Sequence, residues 1–180
     1  MYSIQVSTEG KAQLLVNQFV ADTKPGKKDV KKYTEEAMAK LHRDEKGQCC
    51  ITEEMIKACV LNGISMGGIK FGRKSLGQYW KAVAHIEPKN VPINKGAKEP
   101  DGIDVRPGRI PPGPRGSMVM LYRPLFKVGW TLDFTVLIAD DRITEDLVHE
   151  SFNSAGLLAG LGAGRPDFGR FEVTKWEVVK

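Results

Sequence analysis

The chain has 180 residues, of which 41% are hydrophobic, 27% charged and 8% aromatic, proportions of an ordinary globular protein long enough to bury a core. It carries a formal net charge of +5 and three cysteines, two of them adjacent at Cys49 and Cys50, which fits neither a disulfide framework nor a cysteine-based metal cluster. No run of about 18 apolar residues occurs, and the opening residues lack the basic-then-apolar order of a signal peptide. The expectation is therefore a cytoplasmic protein with no membrane association.

The charge is unevenly placed. Residues 61–130 carry 12 Lys and Arg against 4 Asp and Glu, a local +8, and the remainder is mildly acidic. A localised positive surface selects polyanions such as nucleic acid; the other use for such lysines is to keep loops solvated.

In chain order, Ile4 and Val6 alternate with polar neighbours and predict a strand over residues 2–8. Gly10 ends it, and residues 11–17 continue as an extended or turning segment. Residues 22–32 are polar, with Pro25-Gly26 as a turn signal. Tyr33, Ala37 and Leu41 share one face of a short helix over 30–41. Thr52 followed by Glu53 and Glu54 reads as an N-cap with acidic first-turn residues. It opens a helix whose apolar stripe is Met55, Cys59, Val60 and Ile64, and which Gly67-Gly68 breaks. Ser75 predicts the cap of a further helix through Leu76, Tyr79, Trp80 and Val83. Residues 88–116 lack periodicity and are rich in Pro, Gly and Arg, predicting a long basic loop or arm. Two β-rich runs, 118–126 and 130–138, joined by Lys127-Val128-Gly129, predict a hairpin. Thr144 caps a helix carrying Val148, Phe152, Ala155 and Ala159, and residues 171–179 form a last strand.

Strand, helical region, hairpin, helix, strand is the βαββαβ order of a ferredoxin-like, RRM-like α+β fold. Here the helical region is enlarged, and the long basic loop lies between the first strand and the hairpin. The expectation is one domain over residues 1–180. An antiparallel sheet with helices on one face leaves its other face, or the loops at its edge, free for a ligand.

Two glycine-basic loops carry candidate binding residues. The first, 67–74, holds Lys70, Phe71, Arg73 and Lys74 and is followed by Lys81. The second, 160–170, holds Gly162, Gly164, Arg165, Phe168 and Arg170. Glycines let backbone N–H groups approach an anion closely, arginines add charge-assisted hydrogen bonds to phosphate, and aromatic faces stack on exposed bases. Arg106, Arg109 and Arg115 of the arm and Arg123 of the hairpin extend the set. A glycine-rich helix cap with a tight turn is the other use for the second loop, and core packing the other use for Tyr79 and Trp80. His149 reads as a helix-surface residue and His42 as a cap at a helix C-terminus. A general base has only His85, or failing that His42, to rest on. Asp101, Asp104, Asp140 and Asp141 read as turn residues, and no His/Cys/Asp spacing matches a metal site; neither metal nor cofactor is expected.

The segment Gly162-Ala163-Gly164-Arg165-Pro166-Asp167-Phe168-Gly169-Arg170-Phe171 is similar to the Gly-rich motif of the RAMP superfamily of CRISPR-associated proteins. Phe171 stands where that motif usually has its final glycine. The opening strand and Gly10-Lys11-Ala12-Gln13-Leu14-Leu15 resemble the first strand and G-x-x-P-L-L segment of those proteins, with Gln13 where proline is common. A nearer likeness is to small phage and prophage proteins that share a segment such as Leu121-Tyr122-Arg123-Pro124 and an ending like Phe168-Gly169-Arg170-Phe171-Glu172-Val173. The resemblance implies a CRISPR- or phage-related protein that binds single-stranded RNA or DNA without catalysis. It also implies head-to-tail assembly, residues 88–116 reaching an adjacent subunit in a homo-oligomer or larger complex. A metal-independent endoribonuclease of the guide-RNA-processing type and a protein-interaction module mimicking a CRISPR subunit are the alternative readings.

Overall fold

The computed structural model describes residues 1–18, 30–110 and 114–179; the predicted turn at Pro25-Gly26 lies outside them. The chain opens with β1 (Tyr2–Gly10) and the short β2 (Leu14–Leu15), followed by α1 (Val30–Ala39), β3 (His42–Arg43), β4 (Cys49–Thr52) and α2 (Glu53–Gly67). A small turn of β5 (Lys70–Phe71) and β6 (Lys74–Ser75) leads to α3 (Gly77–Val83), β7 (Ala84–Glu87) and β8 (Asn90–Pro92). Three long strands come next, β9 (Gly102–Ile110), β10 (Ser117–Phe126) and β11 (Thr131–Ile138). The chain closes with α4 (Glu145–Ser154), one π-helical turn (Ala155–Ala159) and β12 (Phe171–Val179). Several antiparallel sheets and α-helices make a mixed α+β fold. No helix among the described residues is long and apolar enough to cross a membrane.

The central sheet has the order β12-β1-β11-β7, every neighbouring pair antiparallel. Strict alternation gives it two faces. Ile4, Val6 and Thr8 of β1 and Leu132, Phe134, Val136 and Ile138 of β11 are buried, and α2 and α4 bring Ile56, Val60, Ile64, Val148 and Phe152 into the same core cluster. Phe152 sits at its centre, with ring contacts to Trp80, Phe134 and Trp176 at 6.0, 5.9 and 5.8 Å. Each such side chain contributes about 1.5–3 kcal/mol by leaving water, which fixes the helices over one face. The ends of α2 follow local rules. Thr52, extended, accepts a hydrogen bond from Met55 N at 3.4 Å, and Gly68 closes the helix in a left-handed conformation at φ 64°, where a Cβ would be strained.

Three expectations are corrected. The runs 118–126 and 130–138 are not partners: β10 pairs with β9 and β2, whereas β11 pairs with β1 and β7. The connection at 127–129 switches sheets because Gly129 N and Gly10 N tie that corner to β1 through Gly10 O and Trp130 O. Residues 88–116 are not a loop throughout, since they contain β8 and β9. Pro107 is tolerated inside β9 because β9 is an edge strand of its three-stranded sheet. Ser75 does not cap α3; Leu76 holds the N-cap position.

Candidate nucleic-acid interface

The second glycine loop folds onto its own chain. Ala163 N donates to Leu15 O at 2.8 Å, Gly169 N to Gln13 O at 2.8 Å, Leu161 N to Gly169 O at 2.9 Å and Lys11 N to Arg170 O at 2.7 Å. Gly162 and Gly169 are left-handed, at φ 78° and 75°. A Cβ on Gly162 would run into Leu15 O, and one on Gly169 into Leu161 O. These glycines therefore admit protein backbone; the direction in which a Cβ would point is already filled. The arginines differ in turn. Arg170 donates from Nε to Pro166 O at 3.0 Å, bracing the loop, while Arg165 is exposed.

Against this loop lies one face of the β9–β10 hairpin. Cross-strand register sets Asp104 opposite Arg123 and Arg106 opposite Leu121, and alternation puts all four on one side. Arg106 donates from Nε and Nη2 to the two oxygens of Asp104, both at 2.6 Å. Its guanidinium carbon lies 4.4 Å from the centroid of Phe168, within cation–π range. Arg123 is half-buried; burial pulls its guanidinium pKa down, Asp104 opposes that, and Arg106 adds to it. Its Nε finds no hydrogen-bond acceptor among the described residues. Asp104 corrects the sequence reading: it is no turn residue but a strand carboxylate only 8% exposed. Its place was legible in the alternation of Ile103 and Val105 with Asp104 and Arg106, which Pro107 and Gly108 obscured.

The other predicted residues sit elsewhere. Arg109 braces the outer end of the hairpin through Gly116 O at 2.9 Å, about 10 Å along the strand from Arg106, and Arg115 is exposed at that end. Lys70, Arg73, Lys74 and Lys81 are exposed on the helical layer between α2 and β7. There Phe71 packs edge-on to Tyr79 at 5.3 Å, and Trp80 is buried, its Nε1 donating to Lys57 O at 3.1 Å. His85, exposed on β7, stands 3.8 Å from Glu53. His42 is corrected from a helix cap to a half-buried residue of β3, where burial lowers its pKa against the opposing pull of Glu54. His149 leans on the Trp176 ring at 4.6 Å. Among the described residues, no cluster of three or more His, Cys, Asp and Glu is placed to hold a metal ion.

The open face of the central sheet has the opposite electrostatic character. Glu9, Glu87, Asp133, Glu172 and Glu177 fall on it by register, against Lys11 and Lys175. An acidic face without an aromatic platform repels a phosphate backbone. The hairpin and glycine-loop side instead carries Arg106, Arg123, Arg165 and Arg170.

No protein-family model matches the sequence, and no curated protein matches it. Among solved structures, the fold is similar to that of a chain in the cryo-EM structure of the type III-B Cmr-beta bound to cognate target RNA, with a TM-score of 0.57 and 16% identity. The likeness takes in 99% of this chain and 61% of that one, so the chain spans less than two thirds of the neighbour's length.

Proposed function

We propose that this protein binds single-stranded RNA across the β9–β10 hairpin and the 160–170 loop, as a RAMP-like subunit without catalysis. The observation that carries this reading is the Arg123 guanidinium, half-buried beside Asp104 and Arg106, the latter lying over Phe168 of the loop, with Nε unpaired among the described residues. A partly buried guanidinium, with only Asp104 opposing its desolvation and Arg106 adding to it, is suited to take a phosphate oxygen on its outer nitrogens. Arg165 extends the positive surface on the loop beside Arg170, whose Nε is held by Pro166 O. Arg109 and Arg115 add cations at the outer end of the hairpin, Arg109 on its opposite face by alternation. Support for a ferredoxin-like core comes from the path β1–α2–β7–β11–α4–β12: numbered in that order, its four strands lie 4-1-3-2 across the sheet. The fold likeness to a chain of an RNA-bound complex points the same way. In this reading the hairpin, which replaces much of the expected arm, is the element that meets a neighbouring subunit. Single-stranded DNA is the competing ligand.

The test is fluorescence anisotropy of labelled oligo-U and oligo-dT over a salt series. Expected are binding of oligo-U at low salt, a steep loss of affinity as salt rises, and a shallower salt slope for Arg123→Gln. Absence of binding at low salt overturns the proposal.

A further inference from the structure

Arg106 is an unusual cation for a phosphate site. Its Nε–Nη2 edge is closed on Asp104 by two 2.6 Å hydrogen bonds, which spends one of the two forks a guanidinium offers an oxyanion. The Asp104 carboxylate also cancels its charge at contact distance, so the pair as a whole attracts a phosphate weakly. What the clasp leaves intact is the guanidinium plane. That plane is fixed on two sides, by the carboxylate at its edge and by the Phe168 ring 4.4 Å away. Phe168 is itself backed by the loop, since a Cβ on Gly164 would stand 2.7 Å from its ring. The Arg106 side chain is nevertheless 43% exposed.

We infer that Arg106 is a base-stacking platform: an unpaired nucleobase lies on its guanidinium, extending the column that begins at Phe168, and Asp104 is the positioning residue that holds the plane. This rests on the nucleic-acid reading above and gives it a division of labour. Arg123 takes phosphate, and Arg106 takes the flat face of a base. Phe168, expected from the sequence to stack on bases directly, instead supports the arginine that does. Recognition of this kind is tolerant of sequence, because every base has a π face.

The experiment compares oligo-U with a strand of the same length and charge whose riboses carry no bases. The wild-type protein is expected to bind the base-bearing strand at least fivefold more tightly. Arg106→Lys keeps the charge but lacks the plane; it is expected to bring the base-bearing strand down to the affinity of the abasic one, leaving abasic binding unchanged. Asp104→Asn frees the guanidinium and removes a negative charge, so abasic binding should strengthen while the preference for bases falls. A merely structural carboxylate would not split the two strands in that way. Equal losses on both strands in Arg106→Lys would make Arg106 a phosphate contact and overturn the inference, with RNA binding still standing. A wild-type protein that binds neither strand overturns the nucleic-acid reading and this subsite together.

Discussion

Alanine at Gly169 separates a structural glycine from a merely flexible one. The residue is left-handed at φ 75°, and its Cβ would run into the Leu161 carbonyl. Holding an L-residue in that region costs about 1–2 kcal/mol. Moving the backbone to relieve the collision strains two hydrogen bonds, Gly169 N to Gln13 O and Leu161 N to Gly169 O, at about 1 kcal/mol each. The expected loss for Gly169→Ala is therefore about 3–4 kcal/mol, or roughly 10 °C in Tm for a chain of this size. Gly72 is the control. It is also left-handed, at φ 62°, but nothing lies within 4 Å of its Cβ position, so Gly72→Ala should cost only about 1–2 kcal/mol. Urea and thermal unfolding of the two variants decide the matter. Equal losses would refute the account of the loop as a backbone-to-backbone clamp.

Thr8 Oγ1 is buried with no partner among the described residues, lining a small cavity with Cys59, Phe134 and Leu161; Thr8→Val is expected to raise stability by about 1 kcal/mol, and a lower urea midpoint would show that the hydroxyl is paired. Burial pushes the thiol of Cys50 up to about 11 and that of Cys59 to about 12, from an ordinary 9.0. Because the folded values are the higher ones, the stability these thiols contribute is whole below pH 9 and declines as pH rises towards 11–12. A thiol reagent at pH 8 should leave all three cysteines unmodified in the folded protein and modify all three in denaturant; rapid reaction of Cys50 or Cys59 in the folded state would contradict it.

Local signals were readable where one residue type does one job. Thr52, Glu53 and Glu54 start α2 and Gly68 ends it, as the pattern implied. The period-2 run of β1 placed a central strand correctly and stopped two residues short. Pairing was less legible, because adjacency in sequence favours a hairpin whether or not one forms. Residues 118–126 and 130–138 look like partners, yet Gly129 and Trp130 turn the second run onto β1. The missing partner of β11 was β7, whose four residues, squeezed between α3 and Pro88, are too short for a periodic signal. At the site, the cations were legible by composition and their roles were not. Nothing in the spacing distinguishes Arg170, spent on the Pro166 carbonyl, from Arg165, which is exposed. The Asp104 clasp required knowing that β9 is a strand.

In the proposed reading RNA lies across the β9–β10 hairpin and the 160–170 loop, away from the acidic face of the sheet. Ultraviolet cross-linking of a 4-thiouridine oligonucleotide, with the attached residues mapped by mass spectrometry, tests this most directly. Cross-links are expected within residues 102–126 and 161–171, with those near Arg106 weakened in Arg106→Lys. Cross-links concentrated on the open sheet face, at Gln5, Ser7, Asp133 or Thr135, would contradict it.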